Sequence, residues 1–374
     1  MRNVYVDHAA TTRLDVEAFE AMKPWLMDEY GNASGVYSFS RKPKKALQDA
    51  REVIATCINA CPDEIFFTSG GTESDNWAIK GSAILGGKKR FIVTSEIEHH
   101  AVLRSIKHTE SLGYLTTYIQ PREDGVIAPN TLEARIPEST SIVSVMLANN
   151  EIGTVQPVGD LAAIAHAHGA VFHTDAVQAI GHIEVDVHQL NVDMLSASAH
   201  KFNGPKGIGF LYLRRGVKLP PYLDGGSQES GLRAGTENLA SIVGMSVALK
   251  NNVDHLKSTQ QYIKNLEERF MQKLNDSNIS YVRNGGNEML PGLISLSFEG
   301  KDGEAILHRM DLMGISLSTG SACNSSDTQI SHVLQAIRLP EPLAKGTIRI
   351  SLGKDNTIED VDAIVSALKK IILS

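Results

Sequence analysis

The feature that most constrains the fold is an alternation of short apolar runs with helical patterns between about residues 60 and 215. The apolar runs occupy residues 65–68, 91–94, 142–147, 171–173, 194–196 and 208–213. Helical patterns lie between them over residues 72–85, 99–112 and 158–168. This alternation predicts an α/β fold in which helices cover a mostly parallel sheet. Because ligands bind at the carboxyl ends of such strands, polar residues there are the first site candidates.

The chain is long enough for two domains. Its 374 residues exceed what one hydrophobic core usually organises. Residues from about 237 to 275 have the pattern of a long helix, and the chain beyond them fits a shorter α+β unit. We therefore expect a large α/β domain over residues 14–255 and a small α+β domain formed by residues 1–13 with 256–374.

Charge and cysteine content exclude several classes of protein. A net charge of −7 without a basic cluster argues against direct nucleic-acid binding. Residues 1–12 lack the apolar segment of a signal peptide, and no stretch approaches the length of a membrane span. The three cysteines, Cys57, Cys61 and Cys323, fit a reducing compartment better than a disulfide scaffold. We expect a cytoplasmic protein that has no structural disulfides and does not bind membranes.

Two strand ends carry groups suited to an ionic ligand. An apolar strand runs into Gly71 and Thr72, where free NH groups at a helix start could bind a phosphate, although a capped tight turn is the more common meaning. Another strand ends at Asp175, with Gln178 following. A buried carboxylate there needs a cationic partner, such as a protonated pyridine nitrogen. A helix N-cap remains the more common role for a lone aspartate.

A lysine follows a third strand, in the segment that contains Ser198, His200 and Lys201 before a glycine-rich turn. A lysine held beside an apolar strand end can lose its proton and form a Schiff base, whereas a loop lysine in water stays charged. Lys206 is a second candidate, but it lies between Pro205 and Gly207 and lacks the preceding serine and histidine. The segment alone does not choose between a Schiff base and a solvated lysine.

Cys323 lies within a run of small polar residues from 317 to 326, which predicts a loop. A thiol displayed on a loop suits a nucleophile, although a free cysteine is more often buried as a small apolar group. Cys57 and Cys61, in a segment with a helical pattern, fit that second role.

Arg349 and the pair His99 and His100 complete the candidates. Arg349 alternates with Ile348 and Ile350 in a strand pattern, so its fork could bind a carboxylate from a cleft or form an ordinary ion pair. Either histidine could stack on an aromatic ring or move protons. Adjacent histidines point apart, and no further ligands follow at a recognisable zinc spacing, so we expect no metal.

Taken together and in order, these segments resemble the cysteine desulfurases of the NifS/IscS type, in the class V aminotransferase group. The resemblance extends over nearly the whole chain. It also includes four further segments: Tyr5-Val6-Asp7-His8-Ala9-Ala10-Thr11-Thr12, Gly31-Asn32-Ala33-Ser34, Asn149-Asn150-Glu151-Ile152-Gly153, and residues 225–236. It implies the fold of type I pyridoxal-phosphate transferases, with a mostly parallel seven-stranded sheet in the large domain and a smaller α+β domain that carries the cysteine loop.

The resemblance also implies a role for each candidate. Lys201 would bind pyridoxal phosphate covalently, Asp175 would pair with its ring nitrogen, Gln178 would contact its phenolic oxygen and His99 would stack on the ring. The implied phosphate ligands are Gly71, Thr72, Ser198 and His200, joined by Thr236 from a second subunit of a homodimer. The implied residues around the substrate are Asn32, Asn150, which also borders the cofactor, and Arg349, which would bind its carboxylate.

The reaction implied by the resemblance is the removal of sulfur from L-cysteine. Lys201 and His99 would move protons, Cys323 would take the sulfur as a persulfide, and L-alanine would be released. A protein acceptor would then receive the sulfur for iron–sulfur cluster, thio-cofactor or tRNA biosynthesis. A selenocysteine lyase or another class V enzyme of the same fold remains open, as does a fold that has lost its reaction.

Overall fold

The computed structural model describes residues 3–319 and 330–373. The strands of these ranges are β1 (Val4–Tyr5), β2 (Ile65–Thr68), β3 (Phe91–Ser95), β4 (Leu115–Ile119), β5 (Thr140–Ser144), β6 (Val171–Asp175), β7 (Met194–Ser198), β8 (Gly209–Leu213), β9 (Val282–Asn284), β10 (Leu293–Ser297), β11 (Ile315–Ser316) and β12 (Thr347–Ser351). The α-helices are α1 (Val16–Met27), α2 (Arg41–Cys57), α3 (Gly71–Leu85), α4 (His100–Ser111), α5 (Pro129–Arg135), α6 (Val158–Ala167), α7 (Leu239–Asp254), α8 (Leu256–Asn275), α9 (Gly303–Leu312), α10 (His332–Ala336), α11 (Glu341–Ala344) and α12 (Ile358–Ile372).

The central sheet has seven strands in the order β2-β8-β7-β6-β5-β3-β4. Strands β3 to β7 run parallel, while β8 is antiparallel to both of its neighbours. This confirms the predicted α/β fold with a mostly parallel sheet. The parallel strands β5, β6 and β7 therefore end side by side, and the loops that follow them meet at one edge of the sheet.

The sequence analysis missed β4 and misplaced two helix ends. Strand β4 lies at the sheet edge, and all of its residues except Ile119 are exposed or half-buried, including the adjacent Thr116 and Thr117, so it forms no apolar run. The long helix expected over 237–275 is two helices, because His255 leaves helical geometry at ψ 11°. Helix α2 ends at Cys57, and Cys61 caps a short 3₁₀ helix instead of lying within α2. Both thiols are free.

Hydrophobic residues form separate cores on the faces of the sheets. Residues of α2, α6 and α7 pack on one face of the central sheet, and α3 and α4 pack on the other. A further core joins Val4 and Val6 to residues from Ile263 onward, around the antiparallel sheet β12-β10-β9. This grouping is compatible with the two expected domains, whose boundaries stay a prediction. None of the helices in the described ranges is long and apolar enough to cross a bilayer.

Candidate active site

A cavity of about 390 Å³ opens where β6 and β7 end. It brings together most of the predicted site residues, which come from segments far apart in the chain. The predicted residues that line it are Gly71, Thr72, His99, Asn150, Asp175, Gln178, Ser198, His200, Lys201 and Arg349. An adjoining cavity of about 440 Å³ shares the wall formed by Gly71, Thr72, Ser198 and His200.

One end of the cavity is built for an anion. Helix α3 starts there at Gly71. The NH groups of Gly71 and Thr72 precede the first hydrogen bonds of the helix, which Glu73 and Ser74 donate to the Gly70 carbonyl. A Cβ on Gly71 would lie 2.5 Å from Val177 Cγ2, so only glycine allows α3 to approach this closely. Beside it, burial and the nearby Lys201 and Lys206 lower the pKa of His200 to about 4, which leaves a neutral imidazole. These groups form a cradle of the size and charge that a phosphate needs.

The other end is built for a cation. Asp175 is the last residue of β6, and its Oδ1 accepts the NH of Val177 at 2.9 Å. Burial raises the pKa of its carboxyl, while the neighbouring His99 and Lys201 oppose that rise. A buried carboxyl is stabilised in its charged form by a cationic partner, so this end suits a protonated ring nitrogen.

Lys201 follows β7 in a short 3₁₀ helix and is half buried. Its Nζ donates to the carbonyls of Ala9 and Ala10, the latter at 2.9 Å. Gln178 Nε2 donates to the same Ala9 carbonyl at 2.9 Å. The lysine is therefore held against the cavity by the N-terminal segment and is not a solvated loop lysine.

His99 caps the start of α4 with its ring. Nδ1 accepts the NH of Ala101 at 3.1 Å, so the proton of a neutral imidazole lies on Nε2. Burial lowers the pKa of His99, and of the nearby charges Asp175 opposes this and Lys201 adds to it. His99 thus lines the cavity as a neutral ring with one NH donor.

Arg349 lies in β12 with 2% of its surface exposed. Nη1 donates to the Asn150 carbonyl at 2.7 Å and Nη2 to Asp7 Oδ1 at 2.7 Å. Of the two roles left open by its sequence, the ion pair is therefore present, and it orients the guanidinium on the cavity wall.

The structure does not bring every predicted residue to the cavity. Asn32 and Thr236 are exposed and line neither cavity. Thr236 follows a left-handed turn at Glu229 and Ser230, which is held by an ion pair of 2.5 Å between Glu229 and Arg51. Cys323 lies outside the described residues.

The sequence analysis missed four acidic or histidine residues that line the cavity. They are Asp75, Glu98, Glu151 and His332. Asp75 could have been found, since it lies four residues after Gly71 and so on the same face of α3. Glu98 accepts the NH of Met146 at 3.0 Å and a bond from Ser95, and burial raises its pKa to about 8.

Three of the cavity groups could also form part of a metal site. Asp75, His99 and Asp175 offer ligand atoms that all lie within 4.8 Å of one another. The charge of Lys201 acts on both His99 and Asp175, so a metal cation would bind against a neighbouring ammonium group. A ligand with an anionic phosphate at one end and a ring NH at the other fits the two ends of the cavity better than a metal cation does. Pyridoxal phosphate has both groups, and its aldehyde suits the Lys201 amine.

Comparison with known proteins places this site in a family. The family model for aminotransferase class-V matches residues 4–364. A cysteine desulfurase IscS of Dictyoglomus turgidum is 46% identical over 374 residues, which cover 99% of this chain and 95% of the relative. A solved NifS-like protein has a TM-score of 0.94 at 37% identity, with 100% of both chains covered. The solved structure of SspA in complex with cysteine has a TM-score of 0.84 at 39% identity, covering 95% of this chain and 100% of that one.

The match is one of sequence and fold at the same time. The family model covers almost the whole chain, and the relatives align over nearly their full length. Both the family and its desulfurase members depend on pyridoxal phosphate. The chain therefore belongs to the aminotransferase class-V family and, within it, to the cysteine desulfurases.

Proposed function

We propose that this protein removes sulfur from L-cysteine with the help of pyridoxal phosphate, leaving L-alanine and a persulfide on Cys323. The observation that carries the proposal is the meeting of Lys201, Asp175 and His99 with Arg349 in one cavity. Its desulfurase relatives and the cysteine complex of SspA support the choice of substrate.

The residues of the cavity fit the cofactor group by group. Gly71 and Thr72 with Ser198 and His200 would hold the phosphate, the Lys201 amine would bind at the aldehyde carbon, and Asp175 would accept the ring NH. When bound, the cofactor supplies an electron sink next to the substrate α-carbon.

The surrounding side chains orient the substrate and move its protons. The Arg349 fork would bind the carboxylate, with the Asn150 and Asn32 amides beside it. The Lys201 amine would take the α-proton, and the neutral His99 would give or receive a proton at Nε2. Both groups are only partly exposed, which limits the access of bulk water to their protons.

The sulfur step needs a thiolate, which we assign to Cys323. Its sulfur would attack the substrate sulfur, forming an S–S bond while the C–S bond breaks and its electron pair stays on carbon. That carbon would then be protonated, which gives alanine. Both chain segments that flank the undescribed residues border the site: Ser318 bonds to the Arg349 backbone, and His332 Nε2 lies 3.0 Å from the Glu98 carbonyl.

We also propose that the working unit is a homodimer that passes the sulfur to an acceptor protein. The exposure of Thr236 supports a role across a subunit interface. Large apolar side chains are exposed nearby in sequence to Asn32, on α1 and after it: Leu26, Met27, Tyr30, Val36 and Tyr37. The acceptor would serve iron–sulfur cluster, thio-cofactor or tRNA biosynthesis. The low cysteine content and the net charge of −7 support a cytoplasmic location without direct nucleic-acid binding.

The test measures sulfide and alanine released from L-cysteine in the presence of a thiol reductant. We expect Cys323→Ser to abolish both products while keeping the absorbance of the bound cofactor. Cys61→Ser, at the partly exposed thiol outside the cavity, is the matched control and should keep activity. Equal activity of Cys323→Ser and wild type would refute the proposal. Release of selenide from selenocysteine with no sulfide from cysteine would instead indicate a selenocysteine lyase.

A further inference from the structure

Three carboxyl groups are buried around the cation-binding end of the cavity. Asp75, Glu98 and Asp175 have 1%, 0% and 4% of their surface exposed. Asp75 lies on α3 one helical turn after Gly71, and its nearest oxygen is within 4.8 Å of a ligand atom of Asp175. The role of Asp175 is assigned above, whereas nothing in the proposed reaction uses Asp75.

The strands packed against α3 supply no cation for Asp75, and the cationic side chains of α4, Arg104 and Lys107, are exposed. Strands β2, β5 and β7 carry no titratable side chain, and Tyr212 of β8 lies near Glu64 and Arg214. The titratable groups that surround Asp75 are His173 and Asp175 on β6, Glu98 and His99 before α4, His100 at its start, Lys201 after β7, and Glu73 on α3 itself, which is paired with Arg233.

His173 is the nearest of these basic groups, but it is neutral. Its Nε2 lies 3.6 Å from Asp75 Oδ1. Its two ring nitrogens bond with Ser144 Oγ at 2.8 Å and Ser196 Oγ at 2.9 Å. Burial lowers the pKa of His173 to about 3. Among the described residues Asp75 Oδ1 has no hydrogen-bond partner.

An ionised Asp75 would therefore be a buried charge without a counter-ion, beside a second carboxylate. Two carboxyls at this separation do not ionise together readily, and the one without a cation keeps its proton. Asp175 is the one whose pKa the nearby His99 and Lys201 lower, and in the proposed function it would face the ring nitrogen.

We propose that Asp75 is a positioning residue that stays a neutral carboxylic acid behind the cofactor ring, so that Asp175 is the single negative charge at the ring nitrogen. The inference rests on the proposed function for the role of Asp175. The direction of the pKa agrees, since burial first, then Asp175 and Glu98, raise the pKa of Asp75 well above its ordinary value, although a hydrogen bond with Ser196 opposes the rise. A neutral Asp75 fills the space behind Asp175 without competing for the ring proton.

Infrared spectroscopy of the protein as purified at neutral pH tests the protonation state directly. Wild type labelled with ¹³C in its aspartate carboxyls should show an isotope-shifted band of a protonated carboxylic acid. Aspartate labelling leaves the band of the protonated Glu98 unshifted, so the two acids are distinguished. The shifted band should be absent from Asp75→Asn. Absence of any aspartic acid band in the wild type, or persistence of the band in folded Asp75→Asn, would overturn the proposal.

Cofactor affinity provides the second test, with the same substitution at two neighbouring aspartates. Asp75→Asn replaces a neutral acid by a neutral amide, so its Kd for pyridoxal phosphate should stay within about threefold of wild type. Asp175→Asn removes the charge that faces the ring and should weaken binding more than about tenfold. A comparable loss in folded Asp75→Asn would overturn the proposal. If wild type binds no pyridoxal phosphate, the proposed function fails, while the infrared band still decides the state of Asp75.

Discussion

Burial decides the protonation states of single residues around the cavity. His99, His173 and His200 all have lowered pKa values, mainly because a charged imidazole is poorly solvated there. Glu98 shifts in the opposite direction, to about 8, for the same reason. At neutral pH the cavity wall is thus less charged than its composition indicates, because His99, His200 and Glu98 are mainly neutral.

The acid sensitivity of folding should depend measurably on His173. Its folded pKa of about 3 lies below the ordinary value of 6.5, so the folded state binds fewer protons than the unfolded state between these values. The free energy of unfolding therefore falls as the pH drops below about 6.5. Between pH 7 and 5 this loss amounts to about 2 kcal/mol. The glutamine of His173→Gln cannot titrate, so the free energy of unfolding of this variant should fall by about that amount less than that of wild type between the two pH values.

The measurement is urea unfolding at pH 7 and pH 5 for both proteins. His108→Gln, at an exposed histidine of α4, is the control and should follow wild type. Equal pH dependence of wild type and His173→Gln would show that His173 is protonated in the folded protein, contrary to this prediction.

Arg349→Lys should separate substrate binding from cofactor binding. The guanidinium donates in two directions, to the Asn150 carbonyl and to Asp7, and an ammonium group cannot reproduce this planar fork. We expect the KM for L-cysteine to rise about tenfold or more, a loss typical of one charge-assisted hydrogen bond, with unchanged pyridoxal phosphate affinity. Steady-state kinetics and a cofactor titration check both. Arg309→Lys on α9, outside the cavity lining, is the control and should leave KM unchanged. An unchanged KM for Arg349→Lys would show that Arg349 does not bind the substrate.

At the scale of elements, the close approach of α3 to the loop after β6 shapes the phosphate cradle. Gly71→Ala places a methyl group 2.5 Å from Val177 Cγ2, so helix or loop must move. We expect the Kd for pyridoxal phosphate to rise by at least tenfold, because the NH groups of the first turn would lose their alignment. Gly159→Ala in α6 is the matched control, since its nearest atom is 3.5 Å away, and it should bind normally. Normal binding by both variants would contradict the assigned cradle.

The elements that the sequence predicted well are the buried ones. Strands β2, β6 and β7 are almost wholly buried and therefore form apolar runs. The edge strand β4 has one buried residue, and its pattern carries no comparable signal. The break between α7 and α8 at His255 was missed because both helices have suitable residues on either side of it, with no proline or glycine to mark the end.

At the scale of the whole molecule, the exposure of Thr236 makes the dimer testable. If Thr236 completes the partner's phosphate site, a mixed dimer of Lys201→Ala and Thr236→Ala chains contains one intact site. Unfolding and refolding the two inactive variants together should then restore activity. If equal amounts of the chains pair at random and each mixed dimer is half active, the recovery is at most about a quarter of wild type. Desulfurase assays on the mixture, with each variant refolded alone as control, check this.

No recovery in a mixture shown to contain mixed dimers would place Thr236 in its own subunit's site or outside the site. Analytical ultracentrifugation of wild type settles the subunit number independently. A monomer at assay concentrations would exclude the shared site altogether.

The sequence by itself determined the α/β class and most of the residues at the cavity, because parallel strands end at one edge and their polar terminal residues must meet there. Gly71, Asp175 and Lys201 follow from this rule. Only the tertiary structure decided what each side chain faces. The hydrogen bonds from Lys201 to the carbonyls of Ala9 and Ala10 join segments more than 190 residues apart in the chain. The ion pair between Asp7 and Arg349 joins segments that are still further apart. Periodicity indicates which side of an element is buried but not the partner across the core, so these contacts were beyond its reach.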